Sequence, residues 1–114
     1  MKSEHDWYYD FAGGVTVADK DGIIIYMNKQ ALELFKEDGG ETLIGRNVLD
    51  CHPEPSRSLL RRLLETQKPN QYTVRKGDEL LMIHQLPWFS DGEYGGIIEL
   101  SIPVPDEIPF KDRY

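Results

Sequence analysis

Stretches with a strand-like period of two alternate along the chain with stretches that have a helical period. Residues 98–102 place apolar side chains at every second position, with Glu99 and Ser101 between them. This alternation is typical of an antiparallel strand that buries one face and leaves the other polar. Turn signals such as Asp21-Gly22 separate similar runs and favour hairpins. The predicted strands are residues 15–18, 23–27, 71–75, 79–88 and 94–103.

Two segments between these strands have the features of helices. Asn28 stands where an N-cap belongs, ahead of a helix-forming run over residues 29–35. Further along, proline favours a helix start between Pro53 and Ser56, because its fixed φ suits the first helical position. The helix that follows is amphipathic, with leucines on one side and polar residues on the other. The leucines on its predicted buried side are Leu59, Leu60, Leu63 and Leu64.

Composition and charge narrow the range of functions. A chain of 114 residues is expected to form one domain with a modest core. Its net charge of -7 argues against nucleic-acid binding, which usually needs a basic face. The single cysteine cannot form an internal disulfide, and no apolar run reaches membrane-spanning length. We therefore expect a soluble cytoplasmic protein that binds neither nucleic acid nor a membrane.

Three stretches, taken in order, resemble motifs of the PAS domain family. Residues 19–28 read DKDGIIIYMN, residues 43–47 read LIGRN, and residues 91–96 read DGEYGG. The resemblance implies an α+β PAS fold, with a five-stranded antiparallel sheet in the order 2-1-5-4-3. Short helices and one longer amphipathic helix would cover one face of that sheet. The implied division is an N-terminal helical cap over 1–12, a PAS domain over 13–103, and an extended acidic tail over 104–114.

The resemblance also implies a function. PAS domains are sensory or interaction modules rather than enzymes, so we expect a signal-transduction domain that binds a small ligand between helices and sheet. The alternative is a ligand-free module for protein–protein contact. A homodimer and a signalling partner protein are the expected partners, and isologous dimers are the commonest oligomers. The N-terminal segment, with Ser3 or Asp6 as a helix cap and Phe11 near its end, is either a lid on the domain's own sheet or a dimer contact.

The segment around His52 resembles a haem-binding motif. Residues 51–57 read CHPEPSR, similar to the haem-binding PAS domains of bacterial carbon-monoxide-sensing regulators, in which a histidine of this segment ligates iron. The resemblance makes haem the candidate cofactor and His52 its candidate iron ligand. It departs at the second ligand, because the strand after the helix holds no methionine. The other candidate cofactor-binding residues are Leu59, Leu63, Met82 and His84.

Other readings of the reactive side chains are weaker. In flavin-binding PAS photosensors the reactive cysteine directly follows G-x-N, but here Val48 follows Asn47, which argues against flavin photochemistry. Cys51 and His52 are adjacent, so their side chains tend to diverge rather than form a nucleophile–base pair. His5, His52 and His84 lack the spacing of a metal site. His84 either lines the cavity, if its strand face is inward, or meets the N-terminal aromatics or a second subunit.

Overall fold

The computed structural model describes residues 6–113. Its centre is one antiparallel sheet of five strands in the order β2-β1-β5-β4-β3, which confirms the predicted topology. β4 and β5 are the longest strands and pair along most of their length. The strands are β1 (Gly14–Asp19), β2 (Ile24–Met27), β3 (Asn70–Lys76), β4 (Glu79–Ser90) and β5 (Glu93–Pro103).

Two α-helices and three 3₁₀ turns connect β2 to β3. Helix α1 covers Lys29–Leu34 and helix α2 covers Ser56–Thr66. The 3₁₀ turns are Lys36–Asp38, Gly40–Leu43 and Val48–Cys51. Helix α2 begins within the predicted window. The Glu54 carboxylate accepts hydrogen bonds from the backbone N–H of Ser58 (3.0 Å) and from its hydroxyl (2.7 Å), so it satisfies an N–H that the first turn leaves free.

Asn28 joins three parts of the fold. Its side chain is fully buried and accepts hydrogen bonds from the N–H groups of Ala31 and Val15, each at 2.9 Å. Its amide nitrogen donates to the carbonyls of Tyr8 (2.8 Å) and Gly13 (2.9 Å). The predicted N-cap is therefore confirmed, and the same side chain also ties β1 and the N-terminal segment to α1.

The central sheet carries apolar clusters on both faces, and its outer face is only partly covered. The helices pack on the inner face, where Ile24, Met27, Ala31 and Leu43 form one cluster. Leu60 and Leu63 of α2 form a second cluster with Ile97 on the same side. The outer face carries a third cluster of Val15, Val17 and Tyr26, with Tyr8, Tyr9, Phe11, Trp88, Ile98 and Leu100 packed against it.

The N-terminal segment is a lid on the outer face. Tyr8 packs edge-on against Tyr26, with ring centroids 5.5 Å apart. Residues 6–12 form turns and bends rather than the predicted helix, because the aromatic contacts and Asn28 hold the backbone in an irregular path. Ser3, one of the two predicted helix caps, lies outside the described residues. His5 lies outside them too.

The chain ends in an irregular tail after β5. Residues 104–113 have no regular secondary structure, and Ile108 and Phe110 are exposed there, which agrees with an extended tail. In the part of the chain that the structure describes, no helix is long and apolar enough to cross a membrane.

Candidate functional site

A pocket lies between the inner face of the sheet and the helical segments. Its volume is about 620 Å³, inside the range of about 300–1,000 Å³ that is usual for small-molecule sites. The pocket opens on the side of β3, where Tyr72 and Val74 are exposed. Most of its wall is apolar, from Ile24, Met27, Leu43, Leu60, Leu81 and Ile83.

His52 lies on the pocket wall just after the third 3₁₀ turn. Its Nδ1 is 2.7 Å from the Val48 carbonyl oxygen, which can only accept, so Nδ1 carries the ring proton and donates it. A neutral ring then keeps its lone pair on Nε2. The Arg57 Nε–H donates to the His52 carbonyl at 3.1 Å and holds the backbone at this point. The ring is therefore oriented with Nε2 as its available acceptor.

The turn that carries His52 is anchored to the first hairpin. The Asn47 side chain accepts from the N–H of Leu49 (2.9 Å) and donates to the Asp21 carbonyl (3.1 Å). The Val48 N–H donates to the Gly22 carbonyl at 2.8 Å. The LIGRN and DKDG stretches of the sequence thus meet in space and position His52.

A row of polar side chains crosses the sheet, and two of them, Thr16 and Glu99, line the pocket. Glu99 of β5 pairs with Thr16 of β1 on one side and Gln85 of β4 on the other, and Gln85 pairs with Asn70 of β3. The Asn70 amide donates to Gln85 Oε1 at 2.9 Å, and Gln85 Nε2 donates to Glu99 Oε2 at 3.1 Å. Glu99 is thus a carboxylate on the wall of a mostly apolar pocket, with Gln85 as its hydrogen-bond donor.

The surroundings of Glu99 shift its acidity. Burial raises the pKa of the Glu99 carboxyl above its ordinary value, while the hydrogen bond from Gln85 and the charge of a protonated His52 lower it by less. Burial also raises the pKa of the Tyr72 hydroxyl, and the charge of Glu99 adds to that rise. His52, Tyr72 and Glu99 therefore belong to one electrostatic neighbourhood inside the pocket.

Lys76 closes part of the pocket mouth. Its ammonium donates to the Leu34 carbonyl at the end of α1 and lies 5.9 Å from the centre of the Phe35 ring. A lysine at this place complements the negative end of the helix and the face of the aromatic ring. This contact joins the edge strand β3 to α1 across the opening.

The structure corrects the predicted positions of several site residues. His52 lines the pocket, but Met82 and His84 do not, because Leu81 and Ile83 line it and alternate strand residues point to opposite faces. Met82 and His84 therefore lie on the outer face of the sheet.

The buried face of helix α2 is narrower than predicted, and Leu63, a predicted site residue, does not line the pocket. Leu60 lines the pocket, and Leu63 is buried beside it against Ile97. Leu59 is 39% exposed and lies outside the pocket wall. The four leucines occupy a wide sector of the helix surface. Only Leu60 and Leu63, which pack against Ile97 of the sheet, are buried.

Sequence reasoning missed Glu99 and Gln85. The alternation in β5 assigned Glu99 and Ser101 to a solvent-facing side, yet Ser101 is buried and Glu99 lines the pocket. Ile98 and Leu100 lie instead beneath the N-terminal lid. The signal that could have found them is that Asn70, Gln85 and Glu99 are neighbours on three adjacent strands. That signal can be used only when the register between the strands is known.

Cys51 is a packing residue of the pocket wall. Cys51 lines the pocket and packs against the Ile24 cluster as a partly buried side chain. Within residues 6–113, no group of three histidine, cysteine, aspartate or glutamate residues is placed to hold a metal ion.

Comparison with known proteins identifies the family. A family model described as the PAS fold matches residues 11–107. The chain belongs to this family. Its pocket lies between the helices and the sheet of this PAS fold. Among proteins with curated descriptions, none matches this chain.

Solved structures with the same fold include several sensory proteins. The PAS domain of histidine kinase ThkA has a TM-score of 0.63 at 23% identity, covering 79% of this chain and 97% of that one. A sensory box histidine kinase from Vibrio cholerae has a TM-score of 0.61 at 18% identity, with 85% of each chain covered. The Aer2 receptor from Vibrio cholerae, a dual PAS-heme oxygen sensor, has a TM-score of 0.59 at 23% identity, covering 82% and 95%. At these identities the likeness shows the fold.

Replacing Glu99 with glutamine should stabilise the protein at neutral pH. The raised pKa means that folding favours the protonated carboxyl, so its contribution is complete below the unfolded-state value of about 4.3 and is lost as pH rises through the folded-state pKa. Glu99→Gln keeps an acceptor for Gln85 without the charge. We expect its melting temperature to exceed that of the wild type at pH 7.5 and to match it near pH 4.

Glu93→Gln is the matched control, because Glu93 lies on the same strand and is exposed. Thermal unfolding followed by circular dichroism at both pH values gives the comparison. A Glu99→Gln difference that is the same at both pH values would contradict the assigned burial of the charge.

Proposed function

We propose that this PAS domain is a sensory and signal-transduction module that binds a small ligand in the pocket between helices and sheet. The observation that supports it is a pocket of about 620 Å³ with an apolar wall and a few inward polar groups, which is the usual composition of a small-molecule site. The polar groups are His52 and Glu99, with Tyr72 at the open side.

Strand β5 offers a route from the pocket to the outer face. Residues of β5 alternate between the two faces of the sheet. Ile97 and Glu99 line the pocket, whereas Ile98 and Leu100 pack against the outer cluster beneath the N-terminal lid. A ligand that displaces β5 would therefore alter the packing of the lid. It can shift this equilibrium only to the extent that it binds one arrangement more tightly than the other.

Haem is the first candidate ligand, through His52. A histidine that ligates a metal usually donates its other ring N–H to a carbonyl or carboxylate, and the His52–Val48 hydrogen bond has this form. Leu60, Leu81 and Ile83 would supply apolar contact to the macrocycle. Haem bound here would supply an iron centre for a diatomic gas. Met82 and His84 lie on the other face of the sheet, so neither would be the second ligand.

A haemin titration tests this candidate. We expect a Soret band that shifts and saturates near one equivalent in the wild type, and that His52→Ala loses, because Nε2 would be the protein's ligand to the iron. His84→Ala is the matched control and should retain the band, since that histidine is on the outer face. Absence of a saturating shift, or the same spectrum in His52→Ala as in wild type, would remove haem from the proposal.

The alternative function is a ligand-free module for protein–protein contact, including a homodimer or a signalling partner in the cytoplasm. Partly exposed Met82, Leu86 and Ile102 on the outer face support it, since contiguous apolar surface often marks an interaction site. Self-association in sedimentation equilibrium, together with no binding in the pocket, would favour this alternative over the sensory proposal.

A further inference from the structure

We propose that the pocket selects a ligand with a positively charged, N–H-donating head group and an apolar body, and that Glu99 pairs with that head group. The inference rests on the proposed function, because it concerns the same small-molecule pocket, and it names a ligand class that is the alternative to haem there. Its basis is the set of acceptors that the interior presents and the absence, among the described residues, of a lysine or arginine paired with Glu99.

The hydrogen-bond chain across the sheet has a defined direction. Because the Asn70 amide donates to Gln85 Oε1, the amide nitrogen of Gln85 is turned toward Glu99 and donates to Oε2. Gln85 is itself buried, so this amide has little freedom to turn over. Glu99 is thereby held as an acceptor, and its Oε1 receives no hydrogen bond from the described residues.

The second interior group is also an acceptor. The Nδ1–H of His52 is directed to the Val48 carbonyl, which leaves the lone pair of Nε2 for a ligand. Tyr72, whose acidity responds to the charge of Glu99, adds a hydroxyl that can accept or donate. Two acceptors and one adaptable hydroxyl match a ligand head group rich in donors.

No lysine or arginine neutralises Glu99, and the basic group that acts on it is the ring of His52 when that ring is protonated. The described chain has ion pairs between Lys29 and Asp10 and between Lys36 and Glu33, and none involves Glu99. The pocket-lining cations Arg46, Arg75 and Lys76 are exposed at the rim.

Lys76, the rim cation that spans the mouth, already contacts the Leu34 carbonyl and the Phe35 ring. Burial without a permanent countercharge from lysine or arginine disfavours the ionised carboxylate of Glu99. A cationic head group would supply that charge, whereas an anionic ligand would be repelled.

Three probes of the same size separate the possibilities. Benzamidine is a cation with N–H donors, benzamide is neutral, and benzoate is an anion, and all three carry the same ring for the apolar wall. Titrations at pH 7.5, followed by chemical shifts of the backbone amides, report both affinity and location. We expect benzamidine to perturb the amide signals around Glu99 and His52 and to bind at least about tenfold more tightly than benzamide. Benzoate should not bind.

Two variants complete the test. Glu99→Gln should bring the affinity for benzamidine down to that for benzamide, and its amide spectrum checks that the fold is retained. Glu79→Gln makes the same change of charge at an exposed position of β4 outside this pocket and should leave the preference intact.

The outcomes distinguish this inference from the proposed function. Benzamide or benzoate binding as tightly as benzamidine, or benzamidine affinity unchanged in Glu99→Gln, would overturn the charge selectivity and leave the small-molecule pocket standing. If none of the three probes perturbs the pocket, the charge inference is overturned, and a haemin titration that also fails then overturns the proposed function.

Discussion

Asn28→Ala should lower the free energy of unfolding by about 3 kcal/mol or more. The substitution removes the acceptor for two buried N–H groups, Val15 and Ala31, and the donor for the carbonyls of Tyr8 and Gly13. Each buried partner left without a hydrogen bond costs about 1–3 kcal/mol, although some of the four will find water. Urea unfolding followed by circular dichroism measures the change. The dependence of the unfolding free energy on urea concentration should be the same in the variant and the wild type.

Asn47→Ala is the matched control for this prediction. Asn47 is also an asparagine at the start of a helical turn, and it also accepts one N–H and donates to one carbonyl. It is partly exposed, so water can replace the lost bonds and we expect about 1 kcal/mol. Equal losses in the two variants would mean that Asn28 is only a helix cap and does not join the three segments.

Gly96→Ala should destabilise the fold by about 4 kcal/mol, from the sum of a steric clash and a strained backbone. Gly96 has a φ of +144°, and a Cβ built there would lie 2.1 Å from the Ala18 carbonyl oxygen. The same oxygen accepts the indole N–H of Trp88 at 3.0 Å, so any movement that relieves the clash also breaks this bond. Thermal unfolding and tryptophan fluorescence should both report the change.

Gly92→Ala separates the two causes. Gly92 also has a positive φ, +81°, but a Cβ there meets no atom within 4 Å. Only the backbone cost of about 1–2 kcal/mol is then expected. If Gly96→Ala is no worse than Gly92→Ala, the close approach of β1 and β5 at Gly96 does not contribute as the geometry indicates.

Both substitutions bear on the pocket as well as on stability. Asn28 follows Met27, and Gly96 precedes Ile97, and these two apolar residues line the pocket. The backbone at each position sets how closely β1 approaches its neighbour, α1 in one case and β5 in the other. Variants that remain folded are therefore expected to bind pocket ligands more weakly than wild type.

The sequence by itself determined the order and type of the elements. Alternating apolar residues, the turn glycines, the N-cap at Asn28 and the prolines before α2 are local signals, because each depends on backbone preferences of a few neighbouring residues. The sheet order 2-1-5-4-3 came from the resemblance of residues 19–28, 43–47 and 91–96 to PAS motifs, and the structure confirms it. Because His52 precedes a proline, the sequence also predicts an extended backbone there, just before α2, and the structure has it.

Only the tertiary structure decided which side chains meet in the pocket. Alternation states that Met82 and His84 share a face of β4, but it does not say which face, because both faces of this sheet carry apolar clusters. For the same reason Glu99 was assigned to solvent although it lines the pocket. The contact of Glu99 with Gln85, and of Gln85 with Asn70, depends on strand register across three strands, and pairing between residues so far apart in the chain is set by the packing of the whole domain.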